Sequence, residues 1–387
     1  MGYDMDDIVE VKNRQKKMRR RGKFLIFLLL VGIGVLLYQN REKWLPRLKG
    51  IGKTYETIVN DGKLAEGNFP IETLSETGTQ IEFSGKTLFL LNEANLYLYN
   101  EQGGLEDSRQ HAYSNAIMKV ANETALIYES GGQRFRVEGK RKLIYEECAA
   151  HPIIFARLNN NGYTAVVTIS EKYLSALFVY NEKGKLIYSR ECVERIADFS
   201  FTDGSDAAML SFLAERDGEL ITEFERITFA TSVPQKKSAP LTSFCLKTDI
   251  YSSGAVIIGD TAIAYYNTSG ETIGKYVYDG EITGCDSNGE KVAVILSDNA
   301  RRKYKLVFMA DASSETFEIL SDDEYRSVII YDGMVYAMSK LKIEAYDFKG
   351  KLRSTVNISD SYSEFRRCEN YIFLKNYRRI DRIDYDS

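Results

Sequence analysis

Two acidic clusters come closest, by residue type and spacing, to a catalytic or metal-binding site. Ser321–Glu324 has the sequence SDDE, and Phe201–Asp206 has the sequence FTDGSD. Paired carboxylates can act as general acid and base, and acidic turns can bind Ca²⁺. Both clusters fall where the sequence predicts loops between strands, and Asp and Ser are ordinary turn residues. We therefore interpret them as solvated turns and assign no catalytic residue to them.

The nucleophiles and metal ligands of the chain are few. There are two histidines, His111 and His151, and five cysteines without CxxC or CxxH spacing: Cys148, Cys192, Cys245, Cys285 and Cys368. An odd number of unclustered cysteines does not predict a disulfide framework. The chain also offers few residues from which a zinc site or a histidine-dependent catalytic centre could be built. No GxSxG, GxxxxGK[ST], HExxH or calcium-loop motif is present. The sequence predicts no metal site, no cofactor site and no assigned site residue, with the cysteines packed as small apolar side chains within sheets.

A nine-residue pattern that recurs four times indicates the architecture. LYLYNEQGG, LFVYNEKGK, IAYYNTSGE and IEAYDFKGK each read as a strand that ends in Tyr, then Asn or Asp, two variable residues and Gly. Asn or Asp can hydrogen-bond the backbone two residues further on, and Gly adopts the left-handed conformation that a type I turn with a bulge requires. The pattern predicts a strand followed by a tight turn at Gly103, Gly184, Gly270 and Gly350.

Weaker copies lie halfway between these four. The predicted turns then fall at positions 103, 139, 184, about 228, 270, about 313 and 350, with a mean interval of about 41 residues. Each turn strand is preceded by another apolar strand, as in KTLFLLNEANLYLYN, which predicts a hairpin in every repeat. This period is typical of the four-stranded blades of a β-propeller. We predict an all-β fold, a β-propeller in which eight blades are favoured over seven.

The last repeat is one strand short. ENYIFLKNYRRIDRIDYDS matches the hairpin of the first repeat, and the sequence ends where the turn should begin. Propellers close their ring by lending a strand from the other terminus, which removes an open edge. The segment FPIETLSETGTQIEF, Phe69–Phe83, is predicted to supply that strand.

One segment differs in composition from the rest. Phe24–Asn40 is an uncharged run of 17 residues, flanked by Lys23 and Arg41 and followed by Trp44. It is at the short end of what a transmembrane helix needs, and the flanking residues lengthen the span. We expect a signal anchor; the alternative is a cleaved secretory signal, which the long basic leader and the absence of a small-residue cleavage site disfavour.

Charge sets the expected orientation and the domain boundaries. Residues 1–23 carry 8 basic and 4 acidic groups, and residues 61–387 carry a net charge of −11. The basic leader favours a cytoplasmic N-terminus in the plasma membrane and an extracytoplasmic remainder, and the acidic remainder argues against nucleic acid as a partner. We predict a basic tail over 1–23, a single-pass anchor over 24–40, a juxtamembrane linker over 41–66 and the propeller over 67–387.

From the basic leader to repeats of the VYNEKGKL kind, the whole chain resembles membrane-anchored β-propeller proteins of Gram-positive bacteria that form a family of unknown function. The turns also resemble those of quinoprotein-type propellers, but the docking tryptophan of that group is missing, because the only Trp is Trp44. Neither resemblance implies site residues.

Three hypotheses of function remain open on the sequence. The first is a non-catalytic binding or scaffolding platform for envelope proteins, since propeller loops form a broad rigid surface. The second is a glycan- or peptide-acting hydrolase that uses carboxylates of the central channel, because glycosidases need only two carboxylates. The third is a ligand sensor that signals through the anchor. Few histidines disfavour the second, and a tail of 23 residues disfavours the third.

Overall fold

The recurring turns have the geometry that their residue types predict. In the computed structural model, which describes residues 58–60, 68–73, 79–231, 236–298 and 300–385, the Asn100 side-chain oxygen accepts hydrogen bonds from the N–H groups of Gln102 and Gly104, at 3.0 and 2.8 Å. Asn181, Asn267 and Asp347 accept the same pair of bonds. The glycines of the four turns have φ between 75° and 81°, and a bulge follows each turn strand. The prediction of type I turns with a bulge is confirmed.

Glycine is required at these turns for a second reason. A Cβ on Gly184 would lie 2.6 Å from the ring of Tyr145, and a Cβ on Gly350 would lie 2.4 Å from the ring of Phe317. Tyr145 and Phe317 belong to the preceding blades in each case, as the strand bounds below show. The turn glycines therefore also allow neighbouring blades to approach closely.

The described residues contain 32 strands, which we number in chain order and which form eight antiparallel blades. Blades 1 to 4 contain β3 (Gln80–Ser84), β4 (Thr87–Leu91), β5 (Asn95–Asn100) and β6 (Leu105–Gln110); β7 (Ala116–Ala121), β8 (Thr124–Glu129), β9 (Arg134–Gly139) and β10 (Leu143–Cys148); β11 (Ile153–Leu158), β12 (Thr164–Thr168), β13 (Ser175–Tyr180) and β14 (Leu186–Cys192); and β15 (Arg195–Phe201), β16 (Ala207–Arg216) and β17 (Glu219–Thr228).

Blades 5 to 8 complete the ring. They contain β18 (Cys245–Tyr251), β19 (Gly254–Gly259), β20 (Ala262–Asn267) and β21 (Thr272–Val277); β22 (Glu281–Asn288), β23 (Lys291–Asp298), β24 (Lys303–Met309) and β25 (Phe317–Ser321); β26 (Tyr325–Tyr331), β27 (Met334–Ser339), β28 (Lys342–Asp347), β29 (Leu352–Asn357) and the added β1 (Ile58–Asn60); and β30 (Glu364–Cys368), β31 (Tyr371–Lys375), β32 (Arg379–Asp384) and the added β2 (Ile71–Glu72).

The eight-bladed all-β prediction is thus confirmed for the described part of the chain, and every predicted hairpin forms the second and third strands of a blade. The core is divided into eight apolar clusters, and each cluster lies between two consecutive blades. The ring is closed where Ile71 pairs with Ile380 and Glu72 with Arg379, next to the cluster that joins blades 8 and 1.

The bounds of the closing strand were predicted wrongly. Of the described residues within Phe69–Phe83, Ile71–Glu72 closes blade 8, whereas Gln80–Ser84 is the first strand of blade 1. The reason is that blade 1 needs its own inner strand, and Ile81 fills the cluster between blades 8 and 1 together with Leu88 of β4.

The N-terminal part of the chain adds one more strand. Ile58–Asn60 pairs in parallel with Ser354–Val356 on the outer edge of blade 7, and it lies inside the stretch 41–66 that the sequence analysis assigns to a linker. The predicted tail and anchor, residues 1–23 and 24–40, lie outside the described residues. In the part of the chain that the structure describes, no helix is long and apolar enough to cross a membrane.

Candidate functional site

The main cavity of the described structure is the central channel, which has a volume of about 980 Å³. The first strand of every blade contributes to its wall. Seven of these strands place a charged side chain there. Taken one from each strand in chain order, and called the charge ring below, these are Glu82, Lys119, Arg157, Asp198, Lys247, Asp286 and Arg366; Asp249 and Arg367 also line the wall.

Six of these seven charges pair across neighbouring blades. The Arg366 guanidinium donates two hydrogen bonds to Glu82, at 2.9 and 3.0 Å. Arg157 donates to Asp198 at 2.5 Å, and Lys247 donates to Asp286 at 2.8 Å.

The two aspartates are also held from their other side. The second oxygen of Asp198 accepts the backbone N–H of Thr248 at 2.7 Å, and that of Asp286 accepts the N–H of Ile330 at 2.8 Å. Each aspartate therefore links three consecutive blades, from a cation in the preceding blade to a backbone group in the following one. A carboxylate with both oxygens engaged is a poor general base, so these groups stabilise the ring.

Two channel groups differ from the rest. The Lys119 side chain has no hydrogen bond or ion pair within the described residues, and burial by the surrounding wall, followed by the charge of Arg157, lowers its pKa. Asp249 accepts a hydrogen bond from Ser287 Oγ at 2.7 Å. Burial raises the pKa of the Asp249 carboxyl to about 6, against the opposing effect of Lys247.

The acidic clusters that the sequence singles out are structural turns. Asp322 of the first cluster pairs with Lys303, and the Ser321 hydroxyl donates to the carbonyl of Asp323 at 2.9 Å. The second cluster joins β15 to β16, where Thr202 bonds Asp206, and Asp203 lies at the mouth of the channel. Among the described residues, no group of three or more His, Cys, Asp or Glu could hold a metal ion.

The histidines and cysteines lie apart from one another. The backbone N–H of Tyr113 donates to Nδ1 of His111, which is buried between blades 1 and 2. Burial lowers the pKa of His111. The five cysteines are free thiols; Cys192, Cys245 and Cys368 are buried, and Cys285 is half-buried. Cys148 is exposed, so the packing role predicted for it is wrong; it ends the outermost strand of blade 2, where the side chain faces solvent.

The two faces of the disc differ in polarity. We call the side with the loops between second and third strands and between consecutive blades the hairpin face, and the opposite side, with the Asn/Asp–Gly turns, the turn face. Of the 16 exposed large apolar side chains of the described residues, seven lie on fourth strands. The other nine lie on the hairpin face: Ile169, Tyr173, Leu174, Val193, Leu220, Phe244, Leu246, Leu341 and Tyr377.

Blade 4 is at the centre of this apolar region, because seven of the nine side chains come from blades 3 to 5. Its strands β16 and β17 have ten residues each, against five to eight for the second and third strands of the other blades. The inner strand β15 pairs with β16 only as far as Leu213, whereas the hairpin continues to the pair Arg216↔Glu219. The tip therefore extends beyond the hairpin face, and it carries the exposed acids Glu215, Asp217 and Glu219.

Sequence reasoning missed both the channel charges and the long hairpin. A signal for the first was present: strands such as IMKVA, IFARL and IADFS each carry one charge at a central position after a turn. The sequence predicted the hairpin. Its extra length produces a protruding tip only because the shorter strand β15 lies beside it in the structure.

A match to a protein-family model shows which family the chain belongs to. The model of a family of unknown function, DUF5711, matches residues 66–383. The chain belongs to this family. The match covers all eight blades as far as Ile383 of β32. No curated protein matches the chain.

Solved structures are similar to this DUF5711 protein in fold. The crystal structure of the computationally designed Ika8 protein has a TM-score of 0.62 at 11% identity, and covers 85% of this chain and 99% of its own. BamB from Moraxella catarrhalis has a TM-score of 0.55 at 10% identity, and covers 84% and 99%. A eukaryotic initiation factor has a TM-score of 0.53 at 11% identity, and covers 80% and 84%. At these identities the likeness shows the fold alone.

Proposed function

We propose that the protein is a membrane-anchored, extracytoplasmic, non-catalytic platform that binds an envelope protein on the hairpin face of blades 3 to 5. The observation that carries the proposal is the concentration of exposed apolar side chains around the protruding hairpin of blade 4. Soluble surfaces rarely keep large apolar side chains together unless a partner covers them. The propeller fold is consistent with this role.

The charge of the hairpin specifies the partner further. Glu215, Asp217 and Glu219 surround the exposed Leu220, whereas Arg216 is held by Glu223 at 2.8 Å. The tip is therefore acidic around an apolar centre, which is the usual arrangement of a protein-binding surface with a polar rim. A partner with an apolar pocket bordered by Lys or Arg fits this tip, and the acidic rim should speed association at low salt.

A matched pair of substitutions tests the surface. Leu220 and Leu186 are both 46% exposed, but Leu186 lies on the outer strand of blade 3. A photo-crosslinking residue at each position in the full-length protein, in its own membrane, identifies the partner by mass spectrometry. With the purified partner, Leu220→Asp should weaken binding about tenfold, as loss of a central apolar anchor does, and Leu186→Asp should leave it unchanged. Equal effects of the two variants would disprove the proposed surface.

The anchor and its orientation form a separate part of the proposal. The uncharged run Phe24–Asn40 and the basic leader support it. Protease added to intact spheroplasts should remove the propeller and leave the leader protected. A propeller that is digested only after lysis would reverse the orientation.

One observation favours a hydrolase as the second candidate. Asp249 forms no ion pair among the described residues, and the raised pKa of its carboxyl group suits a general acid. The full-length protein can be screened against chromogenic glycosides and peptides beside the Asp249→Asn variant. If the protein turns over a substrate and Asp249→Asn abolishes that turnover, the hydrolase replaces the non-catalytic platform as the proposed function.

A further inference from the structure

One cation of the charge ring has no anion beside it within the described wall. Lys119 is the central charged residue of β7 in blade 2, and its side chain is open to the cavity. The other lysine and the two arginines of the charge ring bind Asp286, Asp198 and Glu82. Lys119 has no such partner within the described residues, so the seven charges of the ring include one more cation than anions; Asp249 is a further carboxyl of the same wall.

Arg157 of the next blade adds donors beside Lys119. One terminal nitrogen of its guanidinium binds Asp198, the other reaches only the carbonyl of Ala156 at 3.4 Å, and the plane lies 4.9 Å from the ring centre of Phe155. Its side chain remains 31% exposed toward the cavity. Lys119 and Arg157 line the same cavity from the adjacent inner strands β7 and β11, and the charge of Arg157 adds to the effect of burial in lowering the pKa of Lys119. Two cations of this kind are a common setting for a bound oxyanion.

We propose that the central channel binds a small molecule with a single carboxylate, held between Lys119 and Arg157. This site goes beyond the binding platform, because it lies inside the ring and uses none of the side chains of the hairpin face.

The wall favours a monoanion over a phosphate dianion. Lys119 offers one unpaired cation, and the carboxyl groups of Asp198, Asp249 and Glu82 in the same wall would repel a second negative charge. The remaining wall includes Phe83, Phe201 and Ile329, and a cavity of about 980 Å³ is in the range of small-molecule sites. The ligand is therefore an organic acid with an apolar body.

The site predicts a defined pH dependence. Burial lowers the pKa of Lys119, the charges of Arg157 and Lys247 lower it further, and Glu82 and Asp198 raise it. Only the protonated amine attracts a carboxylate, so binding weakens as the pH rises through the Lys119 pKa. Because that pKa is lowered, the loss begins below the pH at which an ordinary lysine deprotonates.

Three probes that share a 4-fluorophenyl group test the proposal. Fluorine NMR relaxation of 4-fluorobenzoate, 4-fluorobenzamide and 4-fluorophenyl phosphate is measured with the full-length protein and with Lys119→Gln, Lys119→Arg and Lys172→Gln. Lys172 is an exposed lysine of a blade 3 loop and is the matched control. Circular dichroism checks that each variant is folded, and Lys119→Arg keeps the charge if Lys119→Gln fails to fold.

The expected result is saturable binding of the benzoate, weakened about tenfold or more by Lys119→Gln, as the loss of a charge-assisted contact predicts. Lys119→Arg should retain most of the binding, and Lys172→Gln all of it. The amide should not bind. The proposal is overturned if the amide binds as well as the benzoate, if the phosphate binds more tightly, or if Lys119→Gln binds like the unmodified protein.

Discussion

Blade 8 and blade 4 each have three strands of their own, and they cover the open outer edge differently. Blade 8 receives β2, whose residues Ile71 and Glu72 pair with Ile380 and Arg379 of β32. Blade 4 receives no fourth strand within the described residues. Its strand β17 is covered by a segment that follows it closely in the chain: Leu241 exchanges two backbone hydrogen bonds with Thr222, at 2.8 and 2.9 Å.

Side chains complete the cover of blade 4. The N–H of Ser238 donates to the carbonyl of Phe224 at 2.9 Å, and the Ser238 hydroxyl accepts the Phe224 N–H at 3.0 Å. A few hydrogen bonds thus replace the fourth strand of blade 4, because the continuous chain already joins this blade to the next one. Blade 8 must also join the two ends of the ring, which needs a regular strand pair and an apolar cluster shared with blade 1.

The difference extends to buried charge. In blade 8 the Arg367 guanidinium lies 4.3 Å from the ring centre of Tyr385, and that of Arg382 lies 4.2 Å from the ring centre of Tyr371; both side chains are buried. In blade 4 the buried Glu225 is held by two hydrogen bonds from Arg190 of blade 3, at 3.0 and 3.1 Å. At the ring closure two buried arginines therefore lie against aromatic faces, in addition to the Arg366–Glu82 pair, whereas the buried carboxylate of blade 4 is held by an ion pair across the blades.

The largest effect should follow from breaking the closure. Ile71 is 5% exposed and packs with Phe373 and Ile380, so Ile71→Asp would bury an unpaired carboxylate in place of an apolar side chain. We expect a loss of about 4 kcal/mol or more in the free energy of unfolding, measured by urea unfolding of the full-length protein. Ile71→Val is the control, with an expected loss of about 1 kcal/mol. A loss below that of the control would show that β2 does not close the ring.

A smaller effect should follow from breaking the cover of blade 4. Leu241 is 2% exposed in the cluster between blades 4 and 5, and Leu241→Ala would leave a cavity there at a cost of about 3 kcal/mol. Leu220→Ala at the exposed hairpin tip is the control, with an expected change below about 0.5 kcal/mol. If urea unfolding shows Leu241→Ala to cost more than Ile71→Asp, the local cover matters more than the closure, and the comparison above is reversed.

The ion pair of blade 4 should contribute less. Glu225→Ala would leave Arg190 without its carboxylate, but the Arg190 side chain is 26% exposed and can be solvated in part. We expect a loss of about 2 kcal/mol, below the range for fully buried pairs, again by urea unfolding. Glu219→Ala, at the exposed tip of the same strand, should have no measurable effect. Equal values for the two variants would show that the pair adds no stability.

The smallest changes should be visible as local opening. Cys368 lies in the closing cluster with Ile71, and Cys245 lies in the cluster with Leu241. Burial raises the pKa of each thiol to about 12, so alkylation near pH 8 requires opening of the structure. Ile71→Val should speed the labelling of Cys368 about fivefold, as a local loss of about 1 kcal/mol implies, without a change at Cys245. Mass spectrometry of the labelled peptides measures both rates, and equal acceleration would mean that the two regions open together.

The mild substitution has a counterpart in blade 4. Leu241→Val should speed the labelling of Cys245 and leave Cys368 unchanged. Exposed Cys148 serves as the internal standard, because its labelling needs no opening. A standard that slows or accelerates with either variant would show that the thiol chemistry, and not the structure, had changed.

The sequence was sufficient for the parts of the fold that depend on neighbours along the chain. Asn100 and Gly103 specify their turn by a side-chain hydrogen bond and a positive φ, both formed within five residues. The period of these turns predicted eight hairpins and a last blade that lacks a strand. These local hydrogen bonds and backbone conformations form without contacts from another blade. The sequence alone was therefore enough to predict them.

Only the tertiary structure decided what depends on neighbours across the ring. The sequence did not show that Ile71–Glu72 closes blade 8 while Gln80–Ser84 begins blade 1, because both pieces are short and apolar enough to pair. Charged and apolar residues alternate in the strand RIDRID, which is the pattern of a half-buried strand, yet Asp381 and Arg382 are both buried, since β2 covers its edge and blades 7 and 1 flank it. Lys119 is likewise unremarkable in β7. The assembled ring places it beside Arg157, and every other member of the charge ring meets an opposite charge from a neighbouring blade. Lys119 is therefore the unpaired cation of the charge ring within the described residues.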